Sequence, residues 1–196
     1  METIYLPKAR DVKENLKLLK EKLNLEIKLE GHKVTFEGEA VDELAAEKVF
    51  NAIEFGFTVH QSLQLIDPDI LFVKIKMKSA TRRKDMKDVR GRIIGREGKT
   101  KRTIESISDC EVVINGNEVG IIGLVDNIEA ATTGIKNIAK GSKQANVYNY
   151  MERMNAEKKK FTKDDLGIKD KNSKLEEDEN SKSDEGEDEL EEDEDN

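Results

Sequence analysis

Tryptophan is absent from the 196 residues, cysteine occurs once, proline twice, and aromatic residues make up only 5% of the chain. The single cysteine, Cys110, excludes an intramolecular disulfide and a cysteine-built zinc site. It stands just ahead of an apolar strand and reads as a small, partly buried residue. The two histidines, His32 and His60, lie in a turn and in a connecting segment, with no partner at metal-ligand spacing. No carboxylate cluster, histidine pair or Cys/His set points to catalysis, so neither enzyme activity nor a cofactor or metal is expected. No apolar run approaches the ~18 residues of a membrane span, and the first residues show no signal-peptide pattern. A soluble, cytoplasmic protein is expected.

What the chain has in excess is charge, 39% of its residues, and it is unevenly spread. From Leu175 to Asn196 there are fourteen Asp/Glu and one Lys, a net of −13, so within the overall −8 the preceding residues carry +5. Arg82 to Arg102 holds ten Lys/Arg and three acids, a local net of +7. A basic stretch of that density is the electrostatic footprint expected of a phosphate-binding face.

At its centre is the run Arg92-Ile93-Ile94-Gly95-Arg96-Glu97-Gly98-Lys99-Thr100-Lys101-Arg102-Thr103-Ile104. Glycines at 95 and 98 permit backbone angles closed to other residues and a close backbone approach. A helix starting after Gly98 would aim its free N–H groups and dipole at the loop, which favours a phosphate. Gly98-Lys99-Thr100 ends like a P-loop, but that motif needs another glycine five positions earlier, where Ile93 stands. With Ile93-Ile94 ahead, cations behind and strands beyond, the stretch reads as the GxxG loop of a KH domain, which clamps about four nucleotides of single strand.

Thr3–Leu6 is a strand candidate stopped by Pro7. Val12, Leu16, Leu19 and Leu23 have helical spacing, with Asp11 as N-cap. Leu25–Leu29 and Val34–Phe36 alternate around a Glu30-Gly31-His32 turn, and Val41–Phe55 returns to helical spacing. Gly56–Asp69 is a connector with a short helix. Ile70–Met77 alternates as a strand, Arg82–Ile94 forms a basic helix, and Lys99–Ser108 a second one. Glu111–Asn115 and Glu118–Leu124 are strands around an Asn-Gly turn, a strong hairpin signal. Asp126 caps a helix running to about Lys140. Val147, Tyr148, Met151 and Met154 place another helix within Gly141–Lys160, docking Tyr148 and Met151 on the second half. From Phe161 the composition is almost wholly polar and charged, so a disordered acidic tail is expected.

The hairpin and final helix of the first half recur about 85 residues later. The fold class expected is α+β: two tandem type I KH domains, each ideally β-α-α-β-β-α with a three-stranded sheet and helices on one face. The first, read as β-α-β-β-α, is degenerate and lacks one helix and the GxxG loop. The expected organisation is a degenerate KH domain at 1–56, a connector at 57–69, a KH domain at 70–142, a C-terminal helix at 143–162 and the tail at 163–196. Single-stranded RNA is expected between the Arg90–Ile94 helix, the loop Gly95-Arg96-Glu97-Gly98, the Lys99–Ile107 helix and the Glu111–Asn115 strand. Phosphates would lie on the loop N–H groups near Arg92, Arg96, Lys99, Lys101 and Arg102, with Arg90 beside them. Bases would face a floor of Ile93, Ile94 and Val113. A general KH binder of messenger RNA or single-stranded DNA, a scaffold that does not touch RNA, and a nuclease or NTPase are the other classes weighed.

The run Arg90–Thr100, the hairpin at Asn115-Gly116 and the later Asn146-Val147-Tyr148 resemble the archaeal KH-domain RNA-processing proteins. These are relatives of the eukaryotic small-subunit assembly factor known as the partner of Nob. The resemblance spans about residues 1–160. It implies two packed KH domains, the first without its loop, and binding near the 3′ end of small-subunit ribosomal RNA during maturation and ribosome assembly. The partners it implies are a Nob-type endonuclease and the alpha subunit of translation initiation factor two. The first half is shorter than the resemblance implies, and the acidic tail is no part of the family pattern.

Overall fold

Both hairpins turn on a glycine. In the computed structural model, β2 (Glu26–Glu30) and β3 (Lys33–Glu37) are joined through Gly31-His32, and β5 (Glu111–Asn115) and β6 (Glu118–Leu124) through Gly116-Asn117. Gly31 has φ +62° and Gly116 φ +56°, angles that a side chain resists. A third antiparallel strand joins each hairpin along its second strand. β1 (Glu2–Tyr5) pairs with β3, and β4 (Ile70–Lys76) with β6, so the orders are β1-β3-β2 and β4-β6-β5. The structure describes residues 2–7 and 9–165, with side chains at 3–7 and 9–156. Residues 1–156 form one compact unit; the second unit, 157–196, contributes to this description only the end of the last helix. The expected tail at 163–196 lies, beyond Asp165, outside the described residues.

The first core forms where Ile27, Val34 and Phe36 of the first sheet meet Val49, Phe50 and Ile53 of α3 (Ala40–Phe55). Phe36 and Phe50 stack with centroids 5.3 Å apart. The single helix expected from Asp11 to Leu23 is instead two, α1 (Arg10–Glu14) and α2 (Leu16–Leu23), hinged at Asn15. Asn15 has φ −107° and ψ 17°, and its Nδ2 donates to the carbonyl and to Oδ1 of Asp11, both at 2.9 Å. Asp11 is therefore not an N-cap. Its Oδ2 accepts from the Val59 backbone N–H at 2.7 Å, tying α1 to α4 (Val59–Ser62) in the connector. The first half thus has the order β-α-α-β-β-α. The helix expected to be missing is present but short, and one residue stands where the second half has a loop. His32 is not merely solvated: its Nδ1 lies 2.8 Å from the Leu6 carbonyl.

The second sheet is covered on both faces. Ile75, Val112, Val119 and Ile121 pack against α6 (Met86–Ile94), α7 (Lys99–Ser108) and α8 (Val125–Lys140). Ile122, Phe72 and Val113 belong to the first core. Phe72 meets Phe55 and Phe57 edge-on, at 5.7 and 5.5 Å, and Lys74 Nζ lies 5.2 Å from the Phe72 centroid. Gly120 makes room for this cluster, since a Cβ there would stand 2.6 Å from the Phe55 ring. Val147 and Met151 of α9 (Gln144–Asp165) are buried in the second core, with Tyr148 against it. The expected docking of Tyr148 and Met151 is met, with Gly134 of α8 facing Met151.

Several boundaries differ. Met77 leaves the strand to open a short helix, α5 (Met77–Ala80), and the helix expected from Arg82 starts at Met86. Asp85 sets that start by accepting from the Lys87 and Asp88 N–H groups at 2.8 and 3.3 Å. Asp126 sits inside the first turn of α8 rather than at its cap, which is Leu124. Among the described residues, no helix is long and apolar enough to cross a membrane.

Candidate nucleic-acid interface

The loop between α6 and α7 is built around two unlike glycines. Gly95 closes α6 with φ +75° and ψ 176°, a conformation essentially confined to glycine. A Cβ there would overlap Thr100 Oγ1 and stand 2.7 Å from Thr100 Cβ and 2.8 Å from its backbone nitrogen. Thr100 cannot swing aside freely, because it is buried and its Oγ1 accepts from Gln144 Nε2 of α9 at 2.7 Å. Gly98 has φ +75° and ψ 11°, and a Cβ there would meet nothing within 4 Å. Between them Glu97 is left-handed at φ +53°, and its carbonyl accepts from Arg102 Nη2 at 2.7 Å. Glu97 therefore shapes the loop through its backbone while its side chain stays exposed.

No side chain caps α7. The Lys99 N–H donates back to the Arg96 carbonyl inside the loop, and the positive end of the α7 dipole lies at the turn. Arg96 and Lys99 are exposed, and neither has an ion pair or side-chain hydrogen bond among the described residues. An uncapped helix start, a glycine-flanked turn and two free cations make an anion-binding corner.

The remaining candidates divide. Arg90 Nη1 lies 3.4 Å from the Gly116 carbonyl, against the turn of the second hairpin. Lys101 Nζ pairs with Glu105 at 2.8 Å, and Glu105 also accepts from the Val112 N–H. Arg92 is occupied elsewhere: Nε and Nη2 donate to the Ile138 and Ser142 carbonyls at 3.4 and 3.1 Å, capping the end of α8. Ile93 is 0% exposed in the second core and cannot be part of a floor for bases. Its neighbour Ile94, half-buried at the loop's base, can. Val113 is also removed from the floor. It points away from α6 and α7 into the first core, within 3.5 Å of where a Gly56 Cβ would be. Strand alternation puts Ile114, partly buried beside the second core, on the helix side instead. Alternation counted from Val112 places Ile114 on that same side. Among the described residues, no group of His, Cys, Asp and Glu could hold a metal ion.

The family model for a eukaryotic-type KH domain (KH domain type I), that of the second KH domain of PNO1, matches residues 71–156. Residues 71–156 are thus similar to a type I KH domain. The chain is 30% identical over 109 residues to a KH domain-containing protein of Methanocaldococcus jannaschii, covering 55% of this chain and 48% of that one. It is 30% identical over 135 residues to the pre-rRNA-processing protein PNO1 of Chaetomium thermophilum, covering 63% and 48%. It therefore spans about half the length of the curated relatives it matches. The solved Dim2p of Pyrococcus horikoshii is 28% identical with a TM-score of 0.67, over 78% of this chain and 98% of that one. The same protein is solved in a complex with a/eIF2alpha and rRNA. A protein of unknown function from Aeropyrum pernix, 24% identical with a TM-score of 0.73 over 86% and 97%, shares the fold. The resemblance carried by Arg90–Thr100 is thus to the PNO1 and Dim2p group.

Proposed function

We propose that the chain is a non-catalytic, single-stranded RNA-binding protein acting in 3′-end maturation of small-subunit ribosomal RNA and in ribosome assembly. The observation that carries this reading is the uncapped start of α7 behind the Gly95–Gly98 turn, with Arg96 and Lys99 free beside it. A phosphate at that corner meets the positive end of the α7 dipole and is neutralised by the two cations, and Arg102 keeps the loop in shape. The next bases lie along Ile94 and Ile114, between α6, α7 and β5, with Arg90 and Lys101 at the margins. Backbone contacts position the strand, and base edges along β5 supply the sequence preference. The names of the relatives support this setting: pre-rRNA processing for PNO1, and an rRNA complex for Dim2p.

Residues 1–56 act in this reading as a degenerate KH domain without a loop, followed by the connector 57–69, the RNA-binding domain 70–142, the C-terminal helix from 143 and an acidic segment beyond it. The first domain serves as a packing and protein-binding platform. The alpha subunit of initiation factor two is the partner that the Dim2p complex favours, and a Nob-type endonuclease is a second. The work is cytoplasmic and of archaeal type. A general KH single-strand binder is the competing reading.

The test compares a single strand matching the 3′ end of small-subunit rRNA with a scrambled strand over a salt series. Preference for the ribosomal strand, with affinity falling as salt rises, is expected. Equal binding to both strands would favour the general binder. Arg96→Asp with Glu97→Asp should keep the fold and lower RNA affinity more than tenfold. Unchanged affinity would remove the loop from the interface.

A further inference from the structure

The basic run does not stop at the loop. Where a helix was expected over Arg82–Lys84, the chain is irregular and opens a cleft of about 770 Å³, lined by Lys78, Thr81, Arg82, Arg83 and Lys140 among others. No acidic side chain lines it. Lys78, Arg82 and Lys140 are exposed and have no ion pair among the described residues. Arg83 is held in place: its N–H donates to Thr81 Oγ1 at 3.2 Å, and Nη1 pairs with Asp88 at 2.9 Å. Its Nη2 lies so near Gly141 that a Cβ there would come within 2.6 Å. The carbonyl end of α8, which would repel an anion, is already engaged by Arg92. The cleft and the loop are connected. α6 spans nine residues between them, about 14 Å. The segment after α8 runs alongside, held by Arg92 at Ser142 and by Gln144 at Thr100.

We propose that this cleft is a second phosphate site for the nucleic-acid strand, and that it lengthens the footprint beyond the about four nucleotides of the loop. The proposal rests on the reading of the loop as an RNA site. Four cations, three of them without a counter-ion, at a fixed short distance from a phosphate-binding corner suit a repeating polyanion that passes both.

The test uses the full chain, with a four-nucleotide and a twelve-nucleotide single-stranded RNA as probes. Arg82→Glu with Lys140→Glu should leave affinity for the short strand within about twofold. For the long strand it should weaken affinity about tenfold and reduce the slope of log affinity against log salt by about one. A circular dichroism melt verifies that the variant folds. Unchanged affinity for the long strand, or equal losses on both lengths, would overturn the proposal. So would loss of binding to polyglutamate with RNA affinity intact, which would assign the cleft to an acidic protein. Arg96→Asp with Glu97→Asp separates the two readings. If it fails to weaken the short strand, the loop assignment falls, whatever the cleft variant does.

Discussion

The two loop glycines should not be equally replaceable. At Gly98 an alanine meets no atom within 4 Å, and its cost is conformational. A left-handed residue costs roughly 1–2 kcal/mol, and the stiffer unfolded chain returns about 0.4–1 kcal/mol. Gly98→Ala should therefore lose no more than about 1.5 kcal/mol. Gly95→Ala faces a rarer backbone region, worth of order 1–3 kcal/mol. It also meets Thr100, whose backbone nitrogen would be 2.8 Å from the new Cβ and cannot rotate away. Moving Thr100 breaks the bond from Gln144, about 1 kcal/mol more. A loss of roughly 3–4 kcal/mol results, about 2–3 more than at Gly98. Urea unfolding reads the difference directly. With a slope of about 2 kcal/mol/M, the two midpoints should be separated by about 1 M or slightly more. Coinciding midpoints, or a lower one for Gly98→Ala, would show that the close approach of Gly95 to Thr100 does not constrain the loop.

Other substitutions test the remaining assignments. Ile93→Ala should destabilise by about 2–4 kcal/mol as a core truncation, and melting that matches the parent protein would return Ile93 to the surface. Arg92→Ala should lower stability by about 1 kcal/mol through the lost bonds to the α8 end, measured by urea unfolding. An RNA-binding loss with no stability change would place Arg92 at the interface after all. Asp11→Ala frees the Val59 N–H and the Asn15 amide and should cost about 1–2 kcal/mol; an unchanged melting temperature would contradict the link between α1 and the connector. Cys110, buried, should react with a thiol reagent only as slowly as the protein opens. Rapid labelling of the native chain would show that strand β5 is loosely held.

The elements most readable from sequence were those whose signals are local. Lys99–Ser108, Glu111–Asn115 and Glu118–Leu124 begin and end as expected, with the glycine and turn residues at Gly98, Asp109 and Gly116-Asn117 marking most of their ends. The loop was legible for the same reason, since its backbone angles require glycine. What alternation could not reveal was which face of β5 looks at the helices. In a sheet covered on both faces, Val112 and Val113 are equally apolar, and only the partner layer tells them apart. Arg92 and Asp11 were misread for a related reason. Their decisive partners, Ser142 and Val59, lie 50 and 48 residues away, and no spacing rule reaches that far. The break at Asn15 was hidden because Val12, Leu16, Leu19 and Leu23 keep their helical spacing across a one-residue hinge.

The cover that Phe55 and Phe57 lay over Gly120, Phe72 and Ile122 has a historical consequence. A second half that lived alone would need solvent-compatible side chains on that surface of its sheet. Once Gly120 and the phenyl rings had adapted to one another, losing the first half would have left a greasy, glycine-notched plane bare. The partnership works as a ratchet: the face of the first half that lies on this sheet is tied to it, and the half cannot be removed without baring that plane.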